Sequence, residues 1–175
     1  MALRTTSVQK VNEVAICKFR ELEPDDNVRM AEIIRSSLKE HGVDKPGTVF
    51  TDPTTDNLFD LFNRKDACYF VAEIDGELVG GSGVFPTVGL PDKCAELVKL
   101  YIDRHYRNRG IGIELMKACE KVACDLGYTQ LYLETLPELE RACSLYERMG
   151  YKKLKQPLGQ SGHFACSLWM LKRIE

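Results

Sequence analysis

The sequence predicts an α/β protein: a mixed sheet of about seven strands with about four helices, in the order β-α-α-β-β-β-α-β-α-β-β. Three observations predict it. Short runs rich in β-branched and aromatic residues alternate with longer runs whose apolar residues recur every three or four positions. Asp75-Gly76 sits between two strand-like runs, a strong hairpin signal. No repeat, low-complexity tract or Gly/Ser linker interrupts the chain, so residues 1–175 read as one domain.

Residues 13–21 form the first strand. Pro24-Asp25-Asp26 open a helix, since proline suits the first turn and acids complement the dipole there. Val28, Ala31, Ile34 and Leu38 make its apolar stripe, and Gly42 ends it. Residues 42–56, with Pro46, Gly47 and Pro53, form a long loop. A short helix carries Leu58, Leu61 and Phe62. Strands follow at 68–75 and 77–85, the second bearing Gly80, Gly81 and Gly83 as signs of a bulge or close backbone approach. Residues 94–103 are a strand and 112–126 a helix, with Ile113, Met116, Cys119, Val122 and Ala123 inward and Gly127 at its end. After a strand at 130–135, Thr135 and Glu138 form a capping box for a helix that ends at Gly150. Strands near 151–155 and 163–172 enclose the 157–162 loop.

Composition narrows the function classes. The chain of 175 residues is 44% hydrophobic and 29% charged, with a net charge of -2. That balance gives no pull toward nucleic acid or anionic membrane. No apolar run approaches the ~20 residues of a membrane span, and the first residues lack the apolar stretch of a secretory signal. A cytoplasmic location is expected. The seven cysteines are scattered, and no Cys-x-x-Cys occurs, which argues against a disulfide framework or a zinc site. They are expected to be structural and no metal is implied; Cys94 stands out only by its nearness to Glu96.

The strongest motif is Arg107-Asn108-Arg109-Gly110-Ile111-Gly112, between the 94–103 strand and the next helix. The first amides of a helix lack intrahelical partners and the dipole is positive there, so they suit a pyrophosphate. Glycine lets the backbone come close to it. The loop lacks the Gly-Lys-Ser/Thr of a P-loop, and Leu115 occupies the third glycine position of a dinucleotide fingerprint.

Arg-x-x-Gly-x-Gly in this context resembles the acetyl-CoA motif of the GNAT N-acetyltransferase family. The element order resembles that family over nearly the whole chain, which implies a GNAT-like fold. Leu145-Tyr146-Glu147-Arg148-Met149-Gly150-Tyr151 resembles its Leu-Tyr-x-x-x-Gly-Phe signature. Glu96–Tyr101, Tyr132–Thr135 and Gly162-His163-Phe164 are similar to a group of uncharacterised bacterial members. Leu139 stands where the family often has an asparagine that contacts coenzyme A.

The resemblance implies an acetyl-CoA-dependent transfer of an acetyl group to a primary amine of a small molecule or peptide. It implies cofactor contacts from Arg107, Asn108, Arg109, Gly110, Ile111 and Gly112, and from a bulged, splayed strand at Leu100, Tyr101 and Ile102. Glu96, eleven residues before Arg107, matches the general base of histone-type members. Tyr146 matches the family's general acid, and a phenol of pKa about 10 suits protonation of a thiolate. Ser161 and His163 are candidate acceptor contacts. Asp52, Asp56 and Asp60 read as solvated, with attraction of a cationic amine as the sharper alternative. A non-catalytic acyl-CoA sensor with the same fold is the competing reading. A homodimer through exposed strand edges is left open.

Overall fold

In the computed structural model, which describes residues 17–175, seven strands form one mixed sheet. They are β1 (Cys17–Glu21), β2 (Cys68–Ile74), β3 (Glu77–Phe85), β4 (Cys94–Ile102), β5 (Gln130–Thr135), β6 (Lys152–Lys153) and β7 (Leu168–Arg173). The helices are α1 (Asp26–Glu40), α2 (Leu58–Phe62), α3 (Ile111–Asp125) and α4 (Glu140–Arg148). The element order is the expected one. Residues 13–16 of the expected first strand lie outside the described residues. Strand order is β1-β2-β3-β4-β5-β7-β6, antiparallel throughout except where β4 meets β5.

Alternation along the strands assigns the two faces. Val71 and Leu78 pack with Met30, Ile33, Ile34 and Leu38 of α1, whereas their neighbours Ala72 and Val79 pack with Ile111 and Leu115 of α3. Met116, Cys119 and Ala123 of α3 continue that second core with Ala95, Leu97, Leu131, Leu133 and Tyr146. The intervening residues Glu96, Tyr132 and Glu134 therefore face the α1 side.

Some expected details change. Val28 is 71% exposed; at 3.6 residues per turn it lies about 120° round α1 from Ile34. The Thr135–Glu138 capping box does not form. Thr135 stays in β5, paired with Leu168, and α4 begins only after Leu139. The strand expected at 163–172 is shortened to Leu168–Arg173. Residues 163–166 turn instead, because Ala165 donates to the Gly47 carbonyl and Cys166 to that of His163.

Candidate active site

β4 and β5 are paired at only three positions, Cys94↔Gln130, Ala95↔Leu131 and Glu96↔Tyr132. Beyond Glu96 the strands diverge, so the edge of β4 toward β5 is unpaired from Leu97 to Ile102. On its other edge β4 carries a bulge. Gly83 pairs with Val98, but Gly81, two residues earlier, pairs with Tyr101, three residues later. The core shows the same shift: Val98 and Tyr101, three apart, both pack on the α1 side. Lys99 takes the left-handed conformation (φ 51°) that accommodates the extra residue. Tyr69 holds it there, its buried hydroxyl donating to the Lys99 carbonyl at 2.8 Å. Its ring packs against β3, where a Cβ on Gly81 would sit 2.5 Å from it and one on Gly83 2.6 Å.

The divergence opens a cleft of about 980 Å³ between β4, the start of α3 and α4. Leu100, Tyr101, Ile102, Arg107, Asn108, Gly110, Ile111 and Gly112 all line it. Asn108 (φ 63°) and Gly110 (φ 80°) turn the loop into α3, where Gly110 is the N-cap without a side-chain cap. A Cβ at Gly112 would press on Leu145 and Ile102, at 3.2 and 3.3 Å.

Two arginine assignments shift. Arg107 borders the cleft, but its guanidinium donates to the Ile102 carbonyl (2.9 Å), Glu40 (3.0 Å) and Ser37 (3.1 Å), tying the loop to α1. Arg109 is turned away, its guanidinium 5.1 Å from the Tyr106 ring centre and bonded to the His105 carbonyl. Opposite the loop, α4 brings Arg141, Ser144 and Arg148 to the cleft beside Leu139. The sequence reading missed these. Their spacing on α4, toward the glycine loop, is the signal that would have found them.

A smaller cavity of about 60 Å³ lies in the fork itself, and Glu96, Lys99, Glu134, Tyr146, His163 and Cys166 all reach it. Glu96 is 4% exposed and its carboxylate accepts a hydrogen bond from the Thr87 hydroxyl. Burial pushes its pKa up to about 7, with Thr87 opposing and the Glu134 charge adding to the rise. Tyr146 is 7% exposed, and burial raises its phenol well above the ordinary range. Cys94 does not border the cavity; burial pushes its thiol to about 11, and it remains a packing residue.

Lys99 lines the cavity unexpectedly, and its partner is Asp52. Lys99 Nζ contacts Asp52 Oδ2 at 2.8 Å, and His163 Nε2 lies 3.1 Å from the same oxygen. Thr54 donates to Asp52 Oδ1 through both its amide and its hydroxyl. Despite partial burial, these bonds and the Lys99 charge hold the Asp52 carboxyl well below the usual range. Asp52 is thus a half-buried anchor rather than a solvated loop acid. Asp56, in contrast, is an exposed partner of Arg35, and Asp60 accepts from Asn57. Ser161 donates to Glu134 at 2.6 Å and accepts from the His163 amide, so it shapes the 157–163 loop behind the cavity.

The forked sheet beside a glycine loop that opens a helix is the architecture on which the comparisons with known proteins converge, and they place the chain among the acyltransferases. The chain belongs to the acetyltransferase (GNAT) family, whose model matches residues 30–151. It is 34% identical over 158 residues to the "Uncharacterized N-acetyltransferase YjgM" of Escherichia coli strain K12, covering 89% of this chain and 94% of the relative. It is 31% identical to human N-acetyltransferase 8, covering 64% of this chain and spanning only 52% of that protein. The fold matches a GNAT-family acetyltransferase of Staphylococcus aureus Mu50, with a TM-score of 0.81 at 18% identity over 91% of this chain and all of the other. It also matches the PaiA N-acetyltransferase of Thermoplasma acidophilum, solved with coenzyme A, with a TM-score of 0.71 at 20% identity over 90% and 99% of the two chains. Among the described residues, no helix is long and apolar enough to cross a membrane.

Proposed function

We propose that this chain transfers an acetyl group from acetyl-coenzyme A to a primary amine of a small molecule or peptide. The observation that carries this reading is the fork. The unpaired edge of β4 lines a cleft that ends at the glycine loop on one side, and Glu96 and Tyr146 border the cavity at its apex. The cleft suits the donor. The amides of Asn108 to Gly112 would receive its pyrophosphate, and Arg141, Ser144 and Arg148 would supply polar contacts where Leu139 cannot. Bound acetyl-coenzyme A supplies the activated thioester.

The protein's own groups do the proton work. An alkylamine is largely protonated at neutral pH, with a pKa of about 10.4 for a lysine side chain. Glu96, poised at about 7, accepts the ammonium proton and frees the nitrogen lone pair. Tyr146, kept protonated by burial, donates its hydroxyl proton to the departing sulfur. The new bond is carbon–nitrogen and the broken one carbon–sulfur; the second proton that the nitrogen loses as the amide forms returns to the Tyr146 phenolate, which leaves Glu96 protonated, the thiol complete and Tyr146 restored.

The test mixes the chain with acetyl-coenzyme A and a panel of amines, and detects the released thiol. Thiol release with acetylated amine is expected, and Tyr146→Phe should cut kcat by about 10²-fold or more without weakening donor binding. Donor binding with no turnover across the panel would sink the proposal in favour of a sensor. An undiminished Tyr146→Phe rate would remove the phenol from its role.

A further inference from the structure

Glu134 enters the cavity from β5 on the same face of the sheet as Glu96. Both its oxygens are held. The Tyr132 hydroxyl donates to Oε1 at 2.8 Å and the Ser161 hydroxyl to Oε2 at 2.6 Å. Two hydroxyl donors fix the orientation of a carboxylate without neutralising it. Each oxygen keeps a lone pair.

Asp52 and Asp56 are arranged differently. Asp52 is matched by Lys99 and approached by His163, and Asp56 by Arg35. Lys99, which also lines the cavity, is committed to Asp52, its side chain only 4% exposed. Neither Glu96 nor Glu134 forms an ion pair among the described residues. Glu96 is buried, and among the described residues the one hydrogen bond to its side chain comes from a hydroxyl, Thr87. The groups facing Glu96 are Thr87 from the β3–β4 loop, Lys99 further along β4, Glu134 from β5 and His163 from the last loop. Cys94, two residues before it on β4, stays a neutral thiol. A cavity that holds two carboxyl groups and, among the described residues, no lysine or arginine free of an acidic partner is complementary to a ligand that brings a cation.

We propose that Glu134 is the specificity residue of the acceptor site, holding the acceptor as an alkylammonium ion beside Glu96, so that acceptors are aliphatic amines rather than weakly basic arylamines. The proposal rests on the N-acetyltransferase reading, but a binding measurement tests it separately. Glu134 binds the charged form that predominates in water. Glu96 then takes the proton, and the amine reacts where it was docked. One carboxylate selects and the other deprotonates.

The probe is n-butylammonium chloride, titrated into carboxyl-labelled protein and followed by carbon NMR, with sodium chloride at equal ionic strength as control. A saturable shift of the Glu134 carboxyl is expected in the parent and in Glu96→Gln. In Glu134→Gln the affinity should fall at least tenfold. Ser161→Ala keeps the charge, and its affinity should fall less than threefold, which separates charge from loop disruption. Equal affinity in the parent and Glu134→Gln, or no saturation beyond the salt control, overturns the proposal. In turnover, Glu134→Gln should raise KM for an alkylamine and leave kcat nearly unchanged. The acid limb of its kcat/KM profile should move to lower pH, because a like charge has gone. A neutral arylamine turned over by the parent as well as its alkyl counterpart would also overturn it. If Glu96→Gln keeps full turnover while the ammonium still binds, the base assignment fails and Glu134 stands.

Discussion

At the scale of single residues, buried Glu96 and half-buried Asp52 are shifted in opposite directions. Glu96 is raised to about 7 from an ordinary 4.5 by burial. A raised carboxyl contributes stability that is complete below pH 4.5 and is lost as pH climbs to about 7. Glu96→Gln should flatten the pH dependence of the denaturant midpoint across that window, and kcat/KM should lose the limb that rises through about 7. A parallel pH profile in parent and variant would show that another group titrates. Asp52 is depressed, so its contribution is present above the ordinary carboxylate value and disappears on acidification. Asp52→Asn leaves the Lys99 ammonium buried without a counter-charge. It should destabilise the fold by about 3–5 kcal/mol, measurable as a lower unfolding midpoint. Adding Lys99→Met should recover most of that loss.

At the scale of elements, the bulge in β4 depends on β3 and β2. Tyr69→Phe removes the donor to the Lys99 carbonyl and should cost about 1–3 kcal/mol, read from equilibrium unfolding. Gly81→Ala should act at the same place by driving the Tyr69 ring off β3. The sequence announced this region through Gly80, Gly81 and Gly83, because a Cβ at Gly81 or Gly83 would collide with the Tyr69 ring and one at Gly80 with the β4 backbone at Tyr101. It did not announce which ring would do so. Glu96 was legible from its distance to Arg107, and Tyr146 from its signature. Asp52 was not, because its partners lie 47 and 111 residues away and no local pattern encodes such a contact. The Thr135–Glu138 box was misleading for a related reason. Capping is a preference of about 1 kcal/mol, and pairing of Thr135 with β7 outweighs it.

At the scale of the whole molecule, the sheet is two arms, β1 to β4 and β5 to β7, joined directly by three residue pairs. The order of elements was readable because each strand and helix carries its own periodicity. The fork was not, because unpairing leaves no mark on the alternation. A donor lodged in the cleft would bridge the arms. At a hundred times its dissociation constant, acetyl-coenzyme A should stabilise the fold by about 2.7 kcal/mol, raising the melting temperature by roughly 5–10 °C. Hydrogen exchange should slow most along β4 beyond Glu96 and in the first turn of α4.

The anchoring of Arg107 to Ser37 and Glu40 also determines how binding responds to ionic strength. With Arg107 and Arg109 both engaged elsewhere, the loop as proposed would meet phosphate through fixed backbone dipoles. Dipoles at contact distance are screened little by dissolved ions, whereas exposed guanidinium groups are screened strongly. Any loss of donor affinity between about 0.05 and 0.5 M salt should therefore trace to Arg141 and Arg148 across the cleft. Neutralising those two should remove the salt slope, and neutralising Arg109 should leave it in place.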